Sequence, residues 1–156
     1  MQINCIAIDD EPLALSKLEG FINKVPELRL IRTFDNPVET IGWLKENSTD
    51  LIFLDIQMEQ LTGIQFLEAI NISSKIIITS AYDEYAIKGF ELNVTDYLLK
   101  PFPFQRFLQA INKVMELYAV KGSSELTHEK DNYIFIKTEH RLERIDIDDI
   151  LYIEGM

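Results

Sequence analysis

The sequence predicts an α/β fold, a doubly wound parallel sheet of five strands with helices on both faces, followed by a short β-rich C-terminal tail. Three observations carry this. Across residues 1–121, short apolar runs alternate with segments of helical period. The apolar runs are near-continuous, as in strands buried on both faces. Beyond Gly122 the helical period gives way to β-rich runs.

Ile3 to Ile8 reads as the first strand. Pro12 opens the first helix, because proline suits the first helical position; Leu15, Leu18, Ile22 and Val25 then recur at helical spacing. Leu28 to Phe34 is the second strand, and Pro37 opens a helix carrying Val38, Ile41 and Leu44. Leu51 to Leu54 is a wholly apolar strand that stops at Asp55. Ile64, Leu67 and Ile70 form the third helical stripe. Ile76 to Ile78 is the fourth strand, ending in Thr79 and Ser80, and Tyr82 to Leu92 a fourth helix. Tyr97 to Leu99 is the fifth strand, stopped by Lys100-Pro101, and Phe104, Phe107, Ile111, Val114 and Tyr118 mark a long final helix. Gly122 to Asp131 is polar and reads as a linker, set at residues 122–132. Tyr133 to Thr138, Leu142 to Ile147 and Ile150 to Ile153 are strands, with Glu139-His140-Arg141 as a hairpin turn. So few strands do not bury a core alone, so residues 133–156 read as the start of a second domain.

Bulk properties exclude several classes. The 156 residues suit one domain, or one with an appendage. A hydrophobic fraction of 47% excludes disorder. The net charge of -11 repels phosphate backbones, so bulk attraction to nucleic acid is not expected. Cys5 has no partner for an internal disulfide and lies in an apolar run. Neither a signal peptide nor a membrane-spanning run is visible, so the expected location is cytoplasmic, with no membrane partner. His128 and His140 lack metal-ligand spacing and read as solvated. The acidic residues from Asp146 to Asp149 read as a solvated turn.

In open α/β sheets ligands sit beyond the carboxyl ends of the strands. Here those ends carry chemistry: Asp9-Asp10 with Glu11 after the first strand, Asp55 after the third, Ser80 after the fourth and Lys100 after the fifth. Clustered carboxylates need a counter-charge. An oxygen-only set suits Mg²⁺, and Mn²⁺ next. Lys100 adds a compact cation for Asp55 and then for a phosphoryl oxygen, and Ser80 a hydrogen-bond donor. An aspartate can be a nucleophile toward phosphorus. A metal, a lysine and a hydroxyl stabilise the charge spread over the transferring group. Helix capping by Asp9 and Asp10, or by Ser80, is the plainer reading and is compatible with this one. For Tyr97 the plainer reading is a core aromatic.

These residues lie in stretches that resemble the receiver domain of two-component response regulators. The stretches are Ile8-Asp9-Asp10-Glu11-Pro12, Leu54-Asp55-Ile56-Gln57-Met58 with Gly63, Ser80-Ala81-Tyr82, and Asp96-Tyr97-Leu98-Leu99-Lys100-Pro101-Phe102. The resemblance covers residues 1–121. It implies a flavodoxin-like or CheY-like sheet of order 2-1-3-4-5. It implies that Asp55 accepts a phosphoryl group from a sensor histidine kinase. Asp10, Asp55 and the backbone carbonyl of Gln57 would hold Mg²⁺, with Asp9 acting through a water. Ser80 and Tyr97 would be the switch pair and Lys100 the phosphate sensor, with Lys100-Pro101 cis. The face built by Tyr82–Leu92, the fifth strand and the final helix would change and pair two chains into a homodimer on activation. Self-catalysed phosphotransfer and dephosphorylation are implied, not turnover of a substrate.

One departure stands out. Family members usually carry proline after the methionine; here Met58 is followed by Glu59, which loosens the loop and adds a carboxylate near the metal. By the same resemblance, Gln57, Glu59 and Tyr82 would occupy positions that tune kinetics. The tail, Asn132-Tyr133-Ile134-Phe135-Ile136-Lys137 and Arg144 to Glu154, resembles the opening of a LytTR-type DNA-binding domain. DNA would be reached only through the part of that domain beyond Met156. Other classes fit less well. A flavodoxin-like cofactor carrier needs a glycine- and hydroxyl-rich loop after the first strand, where Asp9-Asp10-Glu11-Pro12 stands. An aspartyl phosphatase needs a second carboxylate two residues after the nucleophile, where Gln57 stands. A receiver that acts without phosphorylation, as a dimerisation or interaction module, is supported only by Glu59.

Overall fold

A computed structural model of the chain describes residues 1–83, 92–126, 133–137 and 142–146. Its elements are β1 (Ile3–Ile8), α1 (Pro12–Asn23), β2 (Leu28–Phe34), α2 (Pro37–Glu46), β3 (Leu51–Asp55), α3 (Gly63–Ala69), β4 (Lys75–Ser80), β5 (Asp96–Leu99), α4 (Phe104–Leu126), β6 (Tyr133–Lys137) and β7 (Leu142–Asp146). The first five strands form one sheet of order β2-β1-β3-β4-β5, and every pairing is parallel. The expected class and order are those observed.

Alternation along β3 explains the two helical layers. Ile52 and Leu54 belong to the cluster that meets Trp43 and Leu44 of α2 and Phe66 and Leu67 of α3. Phe53, between them, stacks on Phe107 of α4 at 5.7 Å, and Phe107 meets Phe21 of α1 at 5.5 Å. A period of two thus sends neighbouring residues to opposite faces, each covered by helices. All five residues of β3 are buried, as a central strand requires. At the sheet edge, β2 exposes Arg29 and Arg32, charges that discourage edge-to-edge pairing.

Several helical stripes differ in detail from the expected ones. In α2, Val38 is 55% exposed and Thr40 is fully buried, its hydroxyl donating to the Asn36 carbonyl at 2.9 Å. The capping side chain of Asn36 fixes the start of α2 and so its rotation. In α3 the innermost side chain is Phe66, and Ile70 lies just past the helix end. Val25 is buried but follows α1. The final helix runs to Leu126, through Gly122-Ser123-Ser124 of the stretch expected as linker. Once Phe107, Ile111 and Val114 anchor a helix, each further residue adds a hydrogen bond without a new nucleation cost.

The chain divides into two compact units, Met1–Glu116 and Leu117–Met156. In the second, β6 and β7 form an antiparallel pair from Tyr133 opposite Asp146 to Lys137 opposite Leu142. Most of the expected helix Tyr82–Leu92, the turn Glu139-His140-Arg141, His128 and the strand Ile150–Ile153 lie outside the described residues. Among the described residues no helix is long and apolar enough to cross a membrane.

Candidate functional site

Sheet register brings the polar strand ends to one level. Ile8 pairs with Leu54, Asp55 with Thr79, and Ser80 with Leu99. The residues that follow continue the ladder: the Asp9 amide donates to Phe34 at 3.0 Å and the Lys100 amide to Ser80 at 2.6 Å. Asp9, Asp10 and Asp55 each present a carboxylate oxygen, and these oxygens lie within 4.8 Å of one another. Asp9 and Asp55 are buried, whereas Asp10 is exposed.

Lys100 enters this cluster between the two buried carboxylates. Its Nζ lies 2.7 Å from Asp9 Oδ2 and 3.3 Å from Asp55 Oδ1. The shorter contact is with Asp9, not with the Asp55 partner that the sequence suggested. Asp9 Oδ1 in turn accepts the Glu11 amide at 2.9 Å. Among the described residues, therefore, both oxygens of Asp9 are engaged. Asp55 has one oxygen so engaged, and Asp10 one, Oδ2, by the Glu59 amide at 3.3 Å. This division favours Asp10 and Asp55 over Asp9 for direct contact with an incoming cation.

Burial pushes the Asp55 carboxyl up to about 6, the Asp9 charge adds to this, and Lys100 only partly offsets it. Burial pulls Lys100 down, but its hydrogen bond to Asp9 and the charges of Asp55 and Asp9 outweigh that, so its pKa is raised. The cluster is short of positive charge, and its donors are all hard oxygens. A divalent cation of the Mg²⁺ type fits that donor set.

Asp55 is held from below by a close approach. A Cβ on Gly63 would meet the Asp55 carbonyl oxygen at 2.5 Å and the Ile56 Cα at 2.9 Å, both backbone atoms. The Gly63 amide meanwhile donates to the Ile56 carbonyl at 2.8 Å. Only glycine fits there. A capping box formed by Thr62 and Gln65 starts α3 at the same point. Between Asp55 and Gly63, an open cleft is lined by Asp10, Gln57, Met58, Glu59 and Ile64 among others. The Lys100-Pro101 bond is cis, as expected.

Ser80 and Tyr97 meet on the main chain of Tyr82. Ser80 is fully buried, and its Oγ accepts the Tyr82 amide at 3.1 Å. The Tyr97 hydroxyl donates to the Tyr82 carbonyl, while its partly buried side chain packs against the core cluster. Tyr82 itself is 48% exposed. The sequence pairs Ser80 with Tyr97 through the resemblance but does not show the bridge on Tyr82, because backbone groups carry no residue-type signal. It also misses the pair of Asp96 and Arg106, joined by two hydrogen bonds of 2.8 Å at the start of β5. The capping box, by contrast, is readable as Thr62 followed three residues later by Gln65.

The family model described as "Response regulator receiver domain" matches residues 5–112. The "Sensory transduction protein LytR" of Staphylococcus epidermidis is 42% identical over 115 residues, which are 72% of this chain and 46% of the relative. The "Transcriptional regulatory protein LytR" of Staphylococcus aureus (strain bovine RF122 / ET3-1) is 39% identical over 125 residues, 78% of this chain and 51% of the relative. The chain thus spans about half the length of these relatives. Among solved structures, the response regulatory domain of protein mrkE from Klebsiella pneumoniae superposes with a TM-score of 0.70 at 28% identity, covering 75% of this chain and 98% of that one.

Proposed function

The chain belongs to the response regulator receiver family, and from that premise we propose that Asp55 accepts a phosphoryl group from a sensor histidine kinase in a Mg²⁺-dependent step. The observation that carries the proposal is the convergence of Asp9, Asp10 and Asp55 within 4.8 Å beside Lys100. In the transfer, the bond from phosphorus to the donor histidine nitrogen breaks as a bond to an Asp55 oxygen forms. The histidine nitrogen keeps the electron pair.

In this reading Asp10, Asp55 and the Gln57 carbonyl would hold the cation, and Asp9 would act through a water. When bound, Mg²⁺, or Mn²⁺ in its place, neutralises charge on the carboxylates and on the phosphoryl oxygens. Lys100 then moves its contact from carboxylate to phosphoryl oxygen. Ser80 donates a hydrogen bond from its hydroxyl to a second phosphoryl oxygen and so alters its hold on Tyr82. Tyr97, bonded to the same residue, follows. The event shifts a population between two surfaces rather than building a new one. Gln57, Glu59 and Tyr82 set the rates around this step.

The proposed receiver comprises residues 1–121, with 122–132 as linker and 133–156 as the first part of a LytTR-type output domain. The activated receiver forms a homodimer, and the output acts on transcription in the cytoplasm. The matching relatives are named as a sensory transduction protein and a transcriptional regulatory protein. Incubation with acetyl phosphate and Mg²⁺ is expected to raise the intact mass by one phosphoryl unit and to increase the sedimentation coefficient. Omitting Mg²⁺ or replacing Asp55 by Asn should abolish both. An equal mass gain in Asp55→Asn would place the acceptor elsewhere.

A further inference from the structure

The loop after β3 reaches the metal-binding cluster through its backbone as well as through its side chains. The Glu59 amide donates to Asp10 Oδ2 at 3.3 Å, spanning 49 positions of sequence. Asp10 is the exposed member of the cluster, whereas Asp9 is tied down by Lys100 and by the Glu11 amide. Among the described residues the Glu59 amide is the hydrogen-bond donor to the Asp10 carboxylate. An exposed carboxylate without such a donor samples several rotamers, and ordering it on binding costs free energy.

We infer that the main-chain N–H of Glu59 is a positioning group for the cation site, holding Asp10 with one oxygen occupied and the other turned free for the metal. An ionised carboxylate has about four lone-pair sites on its two oxygens, so accepting this amide does not block coordination. The Glu59 side chain contributes differently. It is exposed in the open cleft beside Asp10, where solvent weakens its pull on a cation. What matters at position 59 is therefore the presence of an amide hydrogen more than the carboxylate. This rests on the reading of Asp9, Asp10 and Asp55 as a metal site.

Calorimetric titration of the full chain with MgCl₂ separates the two contributions. Glu59→Gln keeps the amide and loses the charge, and affinity is expected to fall about twofold or less. Glu59→Pro loses both, and affinity should fall about fivefold below that of the glutamine variant, the scale of one modest hydrogen bond. Equal affinities for the two variants would overturn the inference, as would a glutamine variant as weak as the proline variant is expected to be.

Proline also restricts Met58, so a second measurement avoids that substitution. Amide exchange at Glu59, followed by NMR without Mg²⁺, should speed up about tenfold or more in Asp10→Ala, which removes the acceptor. Unchanged exchange rejects the hydrogen bond. Failure of the unsubstituted chain to bind Mg²⁺ would instead reject the metal-site reading, and the exchange result would still stand.

Discussion

Asp55 sits in the fold at an energetic disadvantage when ionised. Its pKa is raised from 3.8 to about 6 by burial and by Asp9. A raised carboxyl pKa means that the folded state binds the proton more tightly than the unfolded state. The linked stability is therefore present at low pH and is lost as pH rises through about 4 to about 6. Asp55→Asn removes this dependence. Without divalent cation, the asparagine variant should be more stable than the parent by roughly 1–3 kcal/mol at about pH 7.5, and by less at about pH 5. Urea titrations of both proteins at the two pH values measure the difference. Saturating Mg²⁺ should narrow the gap, because a ligand of the folded state stabilises the parent by an amount that grows with the logarithm of its concentration relative to Kd. An asparagine variant less stable than the parent at neutral pH without metal would show that Lys100 outweighs burial.

The elements that carry the site are held by contacts away from it. At the start of β5, Asp96 takes two hydrogen bonds from Arg106 of α4, and Lys113 lies 3.3 Å away. Burial raises the Asp96 pKa, but the Arg106 hydrogen bond and neighbouring charges outweigh it and leave it lowered. That linkage has the opposite sign to the one at Asp55: it stabilises at neutral pH and is lost on acidification. β5 also delivers Tyr97 and, one step later, Lys100. Arg106→Ala leaves a carboxylate with a side-chain exposure of 8%, held by the Tyr97 amide at 2.8 Å and with Lys113 at 3.3 Å. It should cost roughly 2 kcal/mol in chemical denaturation, with Arg106→Lys between it and the parent. A cost confined to acidic pH would contradict this account. On the other side of the site, Gly63 ties the start of α3 to the backbone of Asp55 and Ile56.

For the whole molecule, the phosphoryl-acceptor reading requires nothing outside the first compact unit. Asp9, Asp10, Asp55, Ser80, Tyr97 and Lys100 all fall within Met1–Glu116. That unit has its own sheet, two helical layers and apolar core, the attributes of a domain that folds alone. A chain ending at Val120 should unfold in one cooperative transition and bind Mg²⁺ within about twofold of the full chain. Circular dichroism melting and calorimetry of the shortened chain test this. Loss of cooperativity would mean that residues beyond 120 contribute to the core. A lone strand pair such as β6 and β7 is marginal by itself.

Much of this was legible in residue order, and the reason is local. Apolar runs of strand length, Pro12 and Pro37 at helix starts, and polar residues at the strand ends are each written within a few positions. The rule that parallel strands end together turns Asp9, Asp10, Asp55, Ser80 and Lys100 into one site without coordinates. Helix rotation was less legible: Thr40 replaces Val38 inside because a satisfied hydroxyl is buried as readily as a methyl group. Three features were settled only in three dimensions. They are the preference of Lys100 for Asp9, the meeting of Ser80 and Tyr97 on the Tyr82 main chain, and the Glu59 amide on Asp10. Each joins distant segments or uses backbone groups, which every residue except proline shares in full and which therefore leave no trace in composition or period. The sequence by itself determined which groups reach the carboxyl edge of the sheet. Tertiary structure decided how they share hydrogen bonds there, since that depends on distances of a few tenths of an ångström.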